Sequence, residues 1–279
     1  PIGAASILQN FEPSVKGGYR RLSGTTKYSS SQVGASSNVI LGVAVFNNGV
    51  VAAQSTNVYF GTGSTWSSID SGRTSAGRYR FEKYNFSTNE ERLIFADGAN
   101  AASVYNGTTV MDIKGATTIS TTGSASSSST SLSVASAAGI MEGMYIGGTN
   151  IGSGAKVSSI SGTTVTMSVA TTGTISSGSV TFAGLGTAPS DPSMVVAFKN
   201  HMFYAGMSTE PNTIIFSAIG DENDFTTANG AGSLNVDSTI IALKSFRGEL
   251  IIFCEDRIYK LAGASRADFA IAPISRNVG

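Results

Sequence analysis

Three observations predict an all-β, β-propeller-like fold, open or incomplete, that carries a small inserted β-sandwich. A strand unit recurs four times, and no stretch keeps an i, i+3, i+4, i+7 apolar stripe over three turns. A Ser/Thr/Gly-rich segment of abruptly different composition interrupts the repeat. In each unit an aromatic residue and a polar turn lead into an apolar strand, and a second short strand with Tyr or Phe follows. The first reads Phe46-Asn47-Asn48-Gly49-Val50-Val51, then Val58-Tyr59-Phe60. The second reads Asn89-Glu90-Glu91-Arg92-Leu93-Ile94-Phe95, then Val104-Tyr105. The third reads Phe198-Lys199-Asn200-His201-Met202-Phe203-Tyr204, then Ile214-Ile215-Phe216, and the fourth Phe246-Arg247-Gly248-Glu249-Leu250-Ile251-Ile252-Phe253, then Ile258-Tyr259. Self-similarity at a period of roughly 40 residues suits radially repeated sheets, because one small sheet cannot cover both of its apolar faces.

In chain order, residues 1–35 read as an extended N-terminal arm, polar and partly basic, with neither helical nor alternating period. Residues 36–115 hold the first two units, with Asn48-Gly49, Asp97-Gly98 and Asn106-Gly107 as hairpin signals. Residues 116–187 form the insert. Its segments Ser131-Leu132-Ser133-Val134 and Thr163-Thr164-Val165-Thr166-Met167 alternate polar with apolar, as strands of a small antiparallel sandwich do. With the insert removed, the second unit sits about one repeat step from the third, so the insert reads as a passenger at a loop tip, where long insertions cost little. Residues 188–279 carry units three and four. Closed propellers have about four to eight blades, so four units make a minimal, open or shortened wheel.

Composition narrows the function. The 279 residues include 33 glycines, only 13% charged residues, and a formal net charge of zero. Such a chain has no overall attraction for nucleic acid or an anionic membrane. No run reaches the ~18 apolar residues of a membrane span, and the start, Pro1-Ile2-Gly3-Ala4, does not read as a secretory signal. The expectation is a soluble protein made in a reducing compartment. Cys254, the single cysteine, lies in the apolar run Leu250–Cys254 and reads as a buried thiol.

Catalytic patterns are weak. His201, the single histidine, reads as a surface turn residue, and no Gly-x-Ser-x-Gly elbow accompanies it. One His and one Cys cannot supply a zinc site. Asp221-Glu222-Asn223-Asp224-Phe225 concentrates oxygen ligands, but the twelfth position from Asp221 is Gly232 where a calcium loop needs Glu; an Asx-type turn with Phe225 in the propeller wall is the alternative. Glycosidase carboxylate pairs stay open, their discriminator being whether Asp and Glu converge on the central funnel. Gly147–Gly154 reads as a turn cluster, and Trp66 as a blade-packing residue. Lys16, Arg20, Arg21, Arg73, Arg78 and Arg80 form the one basic set, expected to pair with carboxylates of a neighbouring subunit rather than with phosphate. No enzyme, metal or cofactor is expected.

The arm motifs Asn10-Phe11-Glu12-Pro13-Ser14 and Gly17-Gly18-Tyr19-Arg20-Arg21, with Leu250–Leu261, resemble tail structural proteins of tailed bacteriophages, most of all the tail nozzle or packaged-DNA stabilisation family. The resemblance covers the arm and the repeat units. It implies a propeller-based virion protein of the phage tail, made in the host cytoplasm, that assembles as a homo-oligomeric ring, a hexamer, at the far end of the tail. Implied partners are other tail proteins such as adaptor and fibres, and genomic DNA passing without specific binding, with no membrane insertion. The alternative is a receptor-binding tail fibre or spike component recognising host surface glycan. Phe11, Tyr19, Arg20 and Arg21, aromatic and Arg residues on a segment with no core of its own, are the subunit-interface candidates.

Overall fold

The computed structural model describes residues 11–13, 19–21, 26–35, 37–74, 77–86, 91–113, 118–183 and 185–276, with backbone alone for the first two segments. In the arm, β1 (Phe11–Pro13) and β2 (Tyr19–Arg21) pair as an antiparallel ribbon, Phe11 opposite Arg21 and Pro13 opposite Tyr19. The expected extended arm therefore doubles back on itself here, which pairs backbone groups that an isolated strand would leave to water.

Four antiparallel sheets follow the repeat. Blade 1 comprises β3 (Ile40–Phe46), β4 (Gly49–Gln54), β5 (Asn57–Gly61) and β6 (Trp66–Asp70), paired in chain order. Blade 2 comprises β7 (Arg80–Tyr84), β8 (Arg92–Ala96), β9 (Ser103–Tyr105) and β10 (Val110–Asp112). The insert then contributes β11 (Ile119–Ala125), β12 (Ser131–Val134), β13 (Tyr145–Gly148), β14 (Val157–Ser161), β15 (Thr164–Met167) and β16 (Ile175–Ala183). Blade 3 comprises β17 (Met194–Phe198), β18 (His201–Ala205), β19 (Thr213–Phe216) and β20 (Gly232–Asn235). Blade 4 comprises β21 (Ile240–Phe246), β22 (Glu249–Cys254), β23 (Ile258–Ala262) and β24 (Ala270–Ser275). The first strand of each blade is innermost: β3 lies against β7, β7 against β17, and β17 against β21.

The hairpin that opens three of the blades is the same device. Phe46 is followed by Asn47 and Asn48, Phe198 by Lys199 and Asn200, and Phe246 by Arg247 and Gly248, and all six turn residues have positive φ. Two consecutive left-handed residues match the twist of the flanking strands, which is why Asn and Gly recur there. The corresponding turn of the second unit, around Asn89-Glu90, lies outside the described residues.

The insert is built from one six-stranded sheet, ordered β13-β16-β11-β12-β15-β14, rather than from two separate sheets. Its two edges curl until Tyr145 bridges Lys156, so opposite halves of the one sheet face each other. Leu132, Met144, Val165, Val180 and Phe182 fill the space between as a core of their own. Small Ser, Thr and Gly residues on the outer face permit this curvature, and curling also hides the sheet edges.

Candidate assembly surfaces

Along a strand, alternate side chains point to opposite faces, so each blade offers one face to the blade before it and one to the blade after. In β8, Leu93 and Phe95 pack with Phe46, Val51 and Ala53 of blade 1, while Ile94 and Ala96 pack with Met202 and Tyr204 of blade 3. Phe203 and Ala205 of β18 turn the other way, to Leu250, Ile252 and Cys254 of blade 4. Among the described residues the four blades are thus joined by three apolar clusters, and none joins blade 4 to blade 1. A closed wheel has as many seams as blades; the four described blades form an arc with three.

The two unmatched faces carry apolar side chains, the one on blade 4 together with Lys244 and the Lys260–Glu249 ion pair. On β3, Ala44 and Phe46 face blade 2, and Val43 and Val45 face outward, Val45 with 67% of its surface exposed. On the last blade, Leu250 and Ile252 face blade 3, whereas Ile251 and Phe253 are only half-buried. The repeated pre-turn phenylalanine reports the same break: Phe46 is 1% exposed, Phe198 4%, and Phe246 57%. No described blade follows Phe246; the Arg247 guanidinium lies 5.2 Å from its ring centroid, as Lys199 Nζ lies 5.6 Å from that of Phe198. Exposed apolar groups grouped on one face mark a contact surface.

The seam between blades 1 and 2 also carries a buried cation. Arg73 is 7% exposed. Its Nε donates to Asp97 Oδ2 at 3.1 Å, and its Nη1 to Asp70 Oδ2 at 3.0 Å and to Ser103 Oγ at 2.7 Å. Its Nη2 donates to the Ala101 carbonyl at 3.1 Å. The guanidinium also lies 5.1 Å from the centroid of Phe95. Burial works against both charges; Asp97, Tyr79 and Asp70 together more than offset it for Arg73, and the Ala99 amide, Arg73 and Asn100 together hold Asp97 below the usual carboxylate range. Arg73 is therefore consumed inside the chain, a correction to its expected pairing with a neighbouring subunit. Arg78 and Arg80 are exposed. Arg80 reaches the axial cavity of about 180 Å³, where Glu82 and Lys244 join it. Among the described residues lining that cavity, Glu82 is the one carboxylate.

The arm candidates Phe11, Tyr19, Arg20 and Arg21 fall on the β1–β2 ribbon, and their side chains lie outside the described residues, as does all of Lys16. Arm residues 26–35 fasten to blade 1: Tyr28 Oη donates to the Gly61 carbonyl at 2.8 Å and Trp66 Nε1 to the Ser31 carbonyl at 3.3 Å. Trp66 thus clamps the arm on the outermost strand instead of filling the space between blades.

His201 is a correction. It is the first residue of β18, not a turn residue, and is 1% exposed among Phe203, Phe216 and Phe269. Its Nδ1 sits 2.6 Å from the Ser217 carbonyl, which only accepts, so Nδ1 carries the proton and Nε2 is a buried acceptor. Burial holds its pKa below the ordinary value. Cys254 is buried, and burial first, then Asp256 and Asp237, push its thiol up to about 11. Asp221 accepts from the Asn223 amide at 3.0 Å and Asp224 from the Thr226 amide at 2.8 Å, forming Asx turns, with Phe225 buried in the seam between blades 2 and 3.

The chain resembles known proteins in shape alone, and weakly. No family model matches it, and no curated protein matches it in sequence. Among solved structures it is similar to the phage phi92 endosialidase, at 13% identity and a TM-score of 0.30 over 85% of this chain and 47% of that one. It is also similar to the computationally designed Ika8 protein, at 12% identity and 0.26 over 82% and 72%. The WD40 domain of Neurospora crassa Pan2 aligns at 10% identity and 0.20 over 76% and 71%. This chain spans under half the length of the endosialidase. Superposition of this quality carries no argument about function; the all-β, propeller-like architecture stands on the sheets themselves.

Proposed function

We propose that this chain is a structural subunit of a bacteriophage tail, a ring-forming nozzle component that surrounds or closes the DNA exit channel and performs no catalysis. The observation that carries the reading is the exposed Phe246 on the trailing face of blade 4, where Phe46 and Phe198 in equivalent places are buried. Within the chain the trailing faces of blades 1, 2 and 3 each pack on the leading face of the next blade. A second copy offers Val43 and Val45 on its own leading face to the same kind of contact. Such a head-to-tail contact is heterologous, and it generates a ring when the rotation closes. Resemblance of the arm to the nozzle family suggests six copies, with Phe11, Tyr19, Arg20 and Arg21 fastening each arm to its neighbour. Neutral charge suits a conduit, since DNA sliding past few cations releases few counterions and is not gripped.

Negative-stain electron microscopy of the purified chain, with and without residues 1–28, tests this. The full chain is expected to form closed rings with a central hole and the truncated chain to lose them. Monomers in both samples, or rings that persist without the arm, overturn the ring or the arm assignment respectively. Saturable glycan binding by a monomeric full chain favours the fibre or spike alternative.

A further inference from the structure

The axial cavity of about 180 Å³ lies where the innermost strands β7 and β21 flank β17. Its charged lining is Arg80, Glu82 and Lys244, two cations to one carboxylate, in a chain whose formal net charge is zero. Arg80 and Lys244 are both exposed, so a solute reaches them from outside. Among the described residues neither is in ion-pair contact with a carboxylate. Glu82 does not cancel them. Its Oε1 accepts from the Ala197 amide at 3.3 Å, which ties it to β17. Burial raises the Glu82 pKa above the ordinary value, and the Ala197 amide and Lys244 lower it by less. The carboxylate is thus shared between an amide and Lys244, and Arg80 is left with no anion of its own.

The backbone adds a donor. β17 pairs with β18 alone, so its other edge faces the axis, and every second amide points there. The Ala197 amide does so in reaching Glu82; the Val195 amide, two residues earlier and also at the cavity, points the same way. A guanidinium, an ammonium and a strand-edge amide thus surround one small space, and all three donate while none accepts. At about 30 Å³ per water the space holds roughly six waters, enough for one tetrahedral oxyanion with its nearest waters. The guanidinium fork matches two oxygens of such a group, and the lysine supplies a point charge beside it.

We propose that the axial cavity binds one phosphate-type oxyanion, with Arg80 and Lys244 as its principal contacts and the Val195 amide as a third donor. All of these groups come from blades 2, 3 and 4 of one chain, so the site neither needs the ring nor fails with it.

Calorimetry on the full chain at low ionic strength, with inorganic phosphate and sulfate as probes, tests it. One site per chain is expected, of millimolar affinity or tighter, whether the chain is a monomer or an oligomer. Arg80→Ala and Lys244→Ala are each expected to weaken phosphate binding about tenfold or more, with unfolding temperatures near that of the wild type because both side chains are exposed. Lys244→Arg keeps the charge and is expected to retain binding. A short oligothymidine separates the sources: binding that phosphate displaces assigns the site to a nucleic-acid backbone, and its absence to a free anion. No saturable binding of either probe up to ~10 mM, tenfold above a weak millimolar site, overturns the proposal. So does an affinity unchanged in either alanine variant, or acetate bound more tightly than phosphate.

Discussion

Phe198 and Phe246 stand at the same place in two neighbouring blades, each before the same two-residue left-handed turn, and their fates differ. Phe198 is enclosed by blade 4, with Phe203 and Phe269 against its ring; Phe246 is more than half exposed. The second strands repeat the contrast: every residue of β18 is buried, while β22 alternates between buried and half-buried although its residues 250–254 are apolar on both faces. Local sequence thus commits each blade to two neighbours, and the arc supplies the last blade with one. Its free face carries Phe246, Ile251 and Phe253 beside Lys244 and the Lys260–Glu249 pair.

The largest test of this contrast is truncation of the two rings. Phe198→Ala is expected to cost the isolated chain about 3–5 kcal/mol, and Phe246→Ala within about 0.5 kcal/mol, by denaturant unfolding at low concentration. Equal costs would mean that Phe246 is buried within the monomer. Arg73→Ala is expected to cost about 3 kcal/mol or more, because Asp97 is left as a buried charge without its partner. A cost below 1 kcal/mol would remove the staple between blades 1 and 2.

Smaller effects come from two titrating groups in the internal seams. Burial, then Glu222, pushes the Asp221 carboxyl up to about 6. A raised acid favours the fold below its ordinary pKa of 3.8, and that contribution is lost as pH rises through about 6. Asp221→Asn keeps the oxygen that accepts from Asn223, so it is expected to stabilise the fold by about 1–2 kcal/mol at pH 7 and not at all near pH 4, read from melting curves at the two values. His201 works in the opposite sense. Its folded pKa is lowered, so its contribution is present above the ordinary 6.5 and lost as pH falls through the folded value. Between pH 7 and 5 the wild type is expected to lose slightly more stability than His201→Leu; identical slopes would contradict a neutral buried imidazole.

Much of the architecture was legible because its signals are local. Asn47-Asn48, Asn200 and Gly248 announce hairpins through the φ values they permit, and the change of composition after residue 115 announces the insert. Openness was legible only as a count of four units; the bare faces became visible through side-chain exposure. What failed is non-local. His201 follows two turn residues by one position, and only the register of β18 decides that it enters the core. Arg73 looks like any loop arginine, since its partner Asp97 lies on the next blade. Arg92 and Glu222 are separated by 130 residues and meet because the insert returns the chain to the neighbouring blade. No spacing rule connects them. The arm ribbon is a lesser case, since three-residue strands carry too little pattern to register.

Sedimentation velocity on the wild type and on a Val45→Glu, Phe246→Glu double variant tests the central claim most directly. An arc whose two bare faces meet those of other copies is expected to sediment as a discrete oligomer, and the double variant as a folded monomer. A wild type that is monomeric at all concentrations, or a double variant with the oligomer intact, would contradict it.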